Sequence, residues 1–388
     1  MDGPLGDWQA ITIKFSGEVL PRERAEAFKG AMFAAYPGDL VFSKIDARNG
    51  AVGLIPDSIP KAVVTSEYPV FTPQADKLRS SYLNHLLRAE HFRVDLQSRA
   101  SGTSGRKRVT PEGFLCLEVP VPTLDEQDAL ISAYTEALAR AAQLEQEADA
   151  IERAGWQAFE AALSVAAPPP LPDRPVFVAR FKEVELWSHE GMLRTAVGGP
   201  GVQVADCPIF ELGNVAAVSY GLQKSPANRP STHARPYLRV ANVQRGRLVL
   251  DEIKTINVPD ADMTSLRLEV GDILFVEGNG SRAELGRVAL WSGEIPGCVH
   301  QNHIIKARPQ RDRLLPEFAM AWFNSDAGRD HFFKYGKTTS GLGTINSTVI
   351  RAAPIPLPSI SVQQKVIEEL SAKQMLARET WQEAASLR

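Results

Sequence analysis

Only three places in this sequence of 388 residues carry residue types at spacings that chemistry could use, and each falls short of a site. Gly336-Lys-Thr338 offers the last three residues of a phosphate-binding loop, but the earlier glycine that lets the backbone wrap a phosphate is missing. Gly278-Asn-Gly-Ser-Arg-Ala-Glu-Leu-Gly286 is glycine-rich, yet its spacing is wrong for a dinucleotide loop, and Arg287 to Trp291 reads as a strand where a helix is required. His300 and His303 stand three apart on an expected strand, so they face opposite sides, and no cysteine or acidic ligand neighbours them in sequence. An Asn-Pro-Pro-Tyr turn to hold a flipped base and a glycine loop for a methyl donor are both missing. The Gly-Asp pairs at Gly38 and Gly271 read as turn determinants rather than catalytic acids, with glycine at positive φ and aspartate bonding the local backbone. A large chain without a catalytic constellation points to recognition or scaffolding, with function resting on loops.

The elements that position those loops follow from composition and pattern. Apolar residues at 44% and charged residues at 23% describe an ordinary folded protein of about two domains. No apolar run reaches the roughly 20 residues needed to span a bilayer, and Met1 to Ala10 lacks the basic and apolar regions of a leader, so a cytoplasmic protein is expected. Cys116, Cys207 and Cys298 fit neither a disulfide framework nor a zinc site and read as buried thiols. A net charge of -3 argues against coating DNA by bulk electrostatics. Basic residues cluster at Arg88 to Arg108 (Arg93, Arg99, Arg106, Lys107) and at Arg229 to Arg247 (Arg235, Arg239, Arg245), and by themselves they read as solvated surface.

The chain repeats itself. Tyr36-Pro-Gly-Asp-Leu-Val-Phe aligns with Glu269-Val-Gly-Asp-Ile-Leu-Phe at a separation of 233 residues, and the same separation puts Gly53 on Gly286. At 236, Pro73 falls on Pro309, Thr103-Ser-Gly on Thr339-Ser-Gly, Val109 on Ile345, Pro120-Val-Pro on Pro356-Leu-Pro, Gln127 on Gln363 and Ile131 on Ile367. Upstream, Gly17 matches Gly246 less securely.

Each repeat reads as strands followed by one long helix. The strands are Asp39 to Ile45, Ala62 to Thr65 and Val70 to Thr72, then Asp272 to Val276, Arg287 to Trp291 and His303 to Ala307. Ser81 to Phe92 and Pro316 to Phe333 read as helices from apolar residues at i, i+3 and i+4. From Thr123, with Glu126 completing a capping box, a helix runs to about Ala166. Leu124, Ile131 and Leu138 recur at sevens and Leu144 and Ile151 continue after a slip, which predicts a coiled-coil seam against Ser359 to Leu387. The expected organisation is a first domain over 1–122, a spacer helix over 123–166, a proline-rich linker over 167–182, a second domain over 183–358 and a second spacer helix over 359–388. The fold class is α+β.

Four stretches in fixed order carry a family resemblance: Pro37-Gly-Asp-Leu-Val-Phe-Ser-Lys-Ile-Asp-Ala-Arg-Asn-Gly50, Thr65-Ser-Glu-Tyr-Pro-Val-Phe71, Ser101-Gly-Thr-Ser-Gly-Arg-Lys-Arg108 and Val119-Pro-Val-Pro-Thr-Leu-Asp-Glu-Gln127. The second half repeats them as Gly271-Asp-Ile-Leu-Phe, Gln301-Asn-His-Ile-Ile305, Lys337-Thr-Thr-Ser-Gly341 and Ile355-Pro-Leu-Pro-Ser-Ile-Ser-Val-Gln363. Together they resemble the specificity subunits of type I restriction-modification enzymes. The resemblance implies two mixed α/β target-recognition domains, each reading half of a bipartite site in double-stranded DNA. It further implies two long antiparallel helices that form a coiled coil, set the spacing in a pseudo-twofold internal repeat and dock two modification (methyltransferase) subunits. It assigns S-adenosylmethionine to those partners, and ATP with Mg to a restriction subunit that translocates DNA, leaving this chain non-catalytic and part of phage defence. A protein-binding subunit or antagonist in a related defence assembly is the alternative. The second half carries Ile209-Phe-Glu-Leu-Gly-Asn-Val-Ala-Ala-Val-Ser-Tyr-Gly-Leu222 ahead of its repeat, where the first has about ten residues, so the first domain reads as N-terminally shortened.

Base readout needs donors and acceptors on exposed loops, and phosphate positioning needs cations and hydroxyls. On those grounds the expected DNA-contacting residues are Lys44, Arg48, Asn49, Ser104, Arg106 and Lys107 in the first domain. In the second they are Gln223, Lys224, Asn279, Ser281, Arg282, Lys337, Thr339 and Ser340.

Overall fold

Short runs of β-branched and aromatic residues closed by glycine or proline form the strands of this protein, and alanine, leucine and glutamate without such breakers form its long helices. The computed structural model describes residues 7–22, 31–100, 108–165, 176–178, 192–193, 196, 207–279, 284–335, 337–339 and 342–388. The expected linker lies outside the described residues apart from 176–178. The chain divides into two units, one of Met1–Gln143 with Ala384–Arg388 and one of Leu144–Glu383.

The first unit has strands β1 (Gln9–Ile13), β2 (Val19–Pro21), β3 (Met32–Ala35), β4 (Leu40–Phe42), β5 (Val52–Leu54), β6 (Ala62–Thr65) and β7 (Val70–Phe71). They form two sheets, ordered β2-β1-β6-β3 and β5-β4-β7. Helices α1 (Ser80–Leu86), α2 (Glu90–Arg99) and α3 (Pro111–Leu115) follow, and α4 (Leu124–Ala162) begins at its end. Buried Phe42 lies against Phe71 and Phe114, at ring centroids of 6.1 and 4.4 Å, and those two rings are 5.7 Å apart, with Leu87, Phe92 and Leu96 around them.

The second unit has β8 (Ile209–Glu211), β9 (Ala216–Tyr220), β10 (Ala234–Leu238), β11 (Val243–Gln244), β12 (Arg247–Leu248), β13 (Lys254–Asn257), β14 (Ile273–Val276), β15 (Gly278–Asn279), β16 (Val288–Leu290), β17 (Val299–His300), β18 (Ile304–Pro309), β19 (Lys337–Thr339), β20 (Leu342–Thr344) and β21 (Pro354–Pro356). Its main sheet is ordered β16-β14-β18-β9, flanked by β13-β10-β17, the small sheet β15-β20-β19 and the pair β21-β8. Helices α5 (Met263–Leu266), α6 (Pro316–Asn324), α7 (Asp326–Tyr335), α8 (Ser347–Arg351) and α9 (Ile360–Ser386) complete it. Trp322, Phe323, Phe275 and Phe332 fill its core together with Leu212 and Val215.

The two expected mid-unit helices are each broken in two. The chain turns through extended backbone at Ala89 (ψ 144°) and at Ser325 (ψ 161°). At the second break Ser325 Oγ accepts from Gly328 N at 3.2 Å, and a Cβ on Gly328 would stand 2.0 Å from the Trp322 carbonyl oxygen, so only glycine permits the close turn.

Local hydrogen bonding recurs between the units in the same pattern. Asp39 accepts from Tyr36 N at 2.8 Å and Asp272 from Glu269 N at 2.7 Å, with Gly38 at φ 86° and Gly271 at φ 91°. Thr110 and Asn346 cap α3 and α8, each accepting at 3.0 Å from the backbone N–H three residues on. The fully buried Gln127 accepts from Arg79 N at 2.8 Å and donates to Lys77 O and Pro122 O; Gln363 accepts from Leu315 N at 2.9 Å and donates to Arg313 O and Pro358 O. These glutamines fasten the start of each long helix to the distant segment that leads into α1 or α6. The match of Gly53 with Gly286 is corrected: Val41 pairs with Gly53 and Leu274 with Ala289, while Gly50 (φ 101°) and Gly286 (φ 66°) hold matching left-handed turns. Three extra residues therefore sit before β16, in the loop that follows β14.

Thr123 and Glu126 make the reciprocal capping box that starts α4, with Thr123 N donating to Glu126 Oε2 at 2.9 Å. The helix runs 39 residues and fits a coiled coil, and Ser164 at φ 51° lies just beyond its end. Of the expected seam, Leu144 is buried and Leu124, Ile131 and Ile151 are half-buried, while Leu138 is 38% exposed. The buried line on α4 is Ala141, Leu144, Ala148 and Gly155, and on α9 it is Gln363, Leu370, Ala377 and Ala384 at sevens. A Cβ on Gly155 would lie 3.0 Å from Lys373 Cβ, so small residues bring these two helices close, and Phe159 and Leu163 packing with Val366 and Leu370 makes them antiparallel there. Cysteine exposure also differs from expectation: only Cys298 is buried, because Cys116 caps the outer end of the one-turn α3 and Cys207 borders β8.

Candidate nucleic-acid interface

In the second unit one end of the main sheet gathers its loops. The C-terminal ends of β14 and β9 and the N-terminal start of β18 lie side by side, since Val276 pairs with Ile304 and Ile305 with Tyr220. Beyond β9, Leu222 bridges Gln301, which leaves Gln223 and Lys224 exposed at this end. Gly221 is required there, because a Cβ would stand 2.1 Å from the His300 carbonyl oxygen. Beyond β14, Glu277 leads into β15, where Asn279 pairs with Gly343 of β20, and β20 pairs in turn with β19 bearing Lys337 and Thr339. Four loops that are distant in sequence thus reach one place.

Two residues at this end, Glu277 and His303, are absent from the expected DNA contacts. Glu277 Oε2 lies 2.6 Å from His303 Nδ1, with the imidazole more than half exposed. The acidic neighbour that His303 lacked in sequence comes from the strand beside it. Just inside, His300 is fully buried; its Nδ1 donates to Ile304 O at 2.8 Å, its Nε2 has no partner, and burial pushes its pKa down to about 4. Lys306 donates to Ser265 O and Arg267 O, and Arg308 forks onto Asp272 at 2.7 and 2.9 Å. That hydrogen bonding raises the Arg308 pKa, whereas burial lowers that of Lys306. Buried Lys306 and Asp272, with the half-buried Arg308, brace the turn.

The corresponding end of the first unit is built on Lys44. Its N–H donates to Glu67 O at 3.0 Å and its carbonyl accepts from Val109 N at 2.8 Å. Glu67 pairs with Arg108 at 3.2 Å, both about half exposed. Lys44 and Arg48 are half-buried, and Asn49 is exposed and donates to Asp46 at 3.2 Å. Ser104, Arg106 and Lys107, expected contacts in the first domain, lie outside the described residues, as do Ser281, Arg282 and Ser340 in the second; the side chains of Asn279, Lys337 and Thr339 are likewise not described.

Much of the basic residue count is spent on structure. Arg88 donates to Ser16 O at 2.8 Å and Val52 O at 3.2 Å, tying the β1–β2 turn to β5. Arg235 pairs with Asp260, Arg239 with Glu252 at 3.2 Å and Arg245 with Glu284 at 4.0 Å. Among the described residues no group of three or more His, Cys, Asp or Glu could hold a metal ion, and no helix is long and apolar enough to cross a membrane.

No family model matches the chain. In sequence it is similar to the EcoKI type I restriction enzyme specificity subunit of Escherichia coli (strain K12), 23% identical over 303 residues that cover 75% of this chain and 58% of that protein. The StySPI specificity subunit of Salmonella potsdam is 22% identical over 295 residues, covering 75% and 57%. The chain thus spans less than two thirds of the length of these relatives. Among solved structures, the HsdS subunit from Thermoanaerobacter tengcongensis superposes with a TM-score of 0.51 at 16% identity, over 98% of this chain and 86% of that one. A chain from a structural study of complex assembly and conformational transition in the type I R-M system gives 0.58 at 14%, with the same coverage. In sequence and fold the chain is thus similar to type I specificity subunits, and its fold is α+β.

Proposed function

We propose that this chain is the non-catalytic DNA-reading subunit of a type I restriction-modification complex. Its two units arose as a duplicated recognition domain, each offering the loop-bearing end of its sheet to one half of a bipartite target. The observation that carries this reading is the recurrence of one hydrogen-bonded frame under loops of different sequence. The Gly-Asp turn, the capped α3 or α8 and the buried glutamine are the same in both units, while the residues that reach the sheet end differ. A constant scaffold with variable tips is what reading two unlike half-sites requires.

In this reading α4 and α9 act as the spacer of a pseudo-twofold arrangement, in cytoplasmic defence against phage DNA. Two methyltransferase subunits dock on them and supply methyl transfer from S-adenosylmethionine, and a restriction subunit supplies translocation driven by ATP with Mg. Helix length sets the distance between half-sites, which DNA counts at about 3.4 Å per base pair. The Gln223–Lys224, Asn279 to Arg282 and Lys337 to Ser340 loops, with Lys44 to Asn49 and Ser104 to Lys107, touch DNA.

The test is base-resolution methylation mapping in cells that carry the modification subunit with and without this chain. A bipartite motif that depends on the chain is the expected result, and deletion of one turn from both long helices shortens its spacer and leaves the half-sites alone. A single half-site would mean that the first unit does not read, and no motif would favour a protein-binding role in the same kind of assembly.

A further inference from the structure

We infer that Lys44 and Glu277, which hold the same place in the two units, choose the base at one position of each half-site, Lys44 a guanine and Glu277 a cytosine. The inference rests on the DNA-reading role proposed above.

The equivalence is set by the backbone. Lys44 N donates to Glu67 O at 3.0 Å, and Glu277 N donates to His303 O at 2.9 Å. The carbonyl of Lys44 accepts from Val109 N at 2.8 Å, and that of Glu277 from Ile345 N at 2.7 Å. One strand ends, its neighbour begins and a third segment crosses in the same way at both places. Because main-chain groups make these bonds, the fold does not require a particular side chain at either position. That freedom is what a specificity position needs.

The chemistry at the two places is opposite. The first offers Lys44, whose carbonyl is bonded by Val109, next in sequence to Arg108, and the Arg108 guanidinium is paired to Glu67 at 3.2 Å. The second offers the Glu277 carboxylate, held by His303 Nδ1 at 2.6 Å, with Thr344 following Gly343 where Arg108 stands in the first unit. A carboxylate brought to a polyanion is unfavourable unless it accepts from an amino group, and the cytosine N4 amino group in the major groove is such a donor. An ammonium meets its match in the acceptors O6 and N7 of guanine. The two units would thus read the same base pair in opposite orientation.

The test uses the full chain with its modification subunit. Target motifs are mapped for the wild type, Glu277→Lys, Glu277→Gln and Lys44→Glu, alongside competition binding with oligonucleotides changed one base pair at a time. Glu277→Lys is expected to convert one cytosine of one half-site to guanine and leave the other half-site intact, and Lys44→Glu to do the reverse in the other. Each weakens binding of the original target on the order of tenfold to a hundredfold. Should Glu277→Lys fail to fold, near-isosteric Glu277→Gln is expected to reduce discrimination at that single position, and unchanged discrimination would overturn the inference. Variants that weaken all sequences equally would mark phosphate contacts and also overturn it. Loss of any sequence preference in the wild type would remove the DNA-reading role itself, whereas a bipartite wild-type motif untouched by the variants would remove only this inference.

Discussion

The two long helices start alike and are covered differently. At each start a buried glutamine makes three hydrogen bonds, one to the preceding loop and two to the segment that leads into α1 or α6, through Pro122 O, Arg79 N and Lys77 O in the first unit and Pro358 O, Leu315 N and Arg313 O in the second. One and two turns on, Val366 and Leu370 of α9 are only 3% and 4% exposed, packed in the cluster that holds Phe159 and Leu163. At the matching places on α4, Leu130 and Tyr134 are 53% and 43% exposed. The sheets differ in the same sense. In the second unit β9 extends the sheet beyond β18 and β8 pairs with β21, whereas β7 is an edge strand among the described residues of the first. Hydrogen-bonded turns, caps and clamps are local and recur with their residue types. Hydrophobic cover depends on what else reaches the same face, so it can differ between copies of one frame.

The strongest way to break this comparison is to empty the cover. Phe159→Ala is expected to destabilise the second unit by about 4 kcal/mol, as large-to-small changes of buried aromatics do, while Tyr134→Ala costs under about 1 kcal/mol; equal shifts in urea midpoint would refute the asymmetry. The shared clamp should behave oppositely. Gln127→Ala and Gln363→Ala each strand one N–H and two carbonyls, and each is expected to cost about 3 kcal/mol in denaturant unfolding, so a large difference between them would show that the frames are not alike.

Acid sharpens the comparison further. The His300 pKa falls from 6.5 to about 4 on folding, so the unfolded chain binds the extra proton between those values, and stability present above pH 6.5 is lost as pH falls through that window. Between pH 7 and pH 5 the loss is about 2 kcal/mol, and Val64 stands at the matching place in the first unit. Denaturant curves of His300→Leu should lose this pH dependence; if they keep it, the acid sensitivity has another source. The smallest effect is chemical. Cys116 is exposed, whereas burial pushes the Cys298 thiol up to about 12, so an alkylating probe should label the first at once and the second only when its unit opens. Immediate labelling of Cys298 would mean that the second unit is the looser one.

Several features were legible in the residues because they are made within a few positions. The capping box at Thr123, the aspartates of the Gly-Asp turns and the strand Ala62–Thr65 need only their neighbours. The seam was legible only in part: Leu144 is buried where the heptads put it, but heptad reading weighs leucines and passes over the buried Ala141, Ala148 and Gly155, whose value lies in their small size. A constant separation of 233 sets Gly53 against Gly286, whereas strand register sets Gly53 against Ala289 and Gly50 against Gly286. The pairing of Glu277 with His303 could have been suspected from aligning Lys44 with Glu277, but their 2.6 Å approach joins residues 26 apart.

The sequence by itself determined the α+β class, the recurring turns and the start of each long helix, because those depend on backbone torsion and hydrogen bonds between close neighbours. Tertiary structure decided which loops share an end of a sheet, which face of a helix is covered and which charges meet. Such groupings join residues far apart in sequence, and strand register and packing, rather than local propensity, select them.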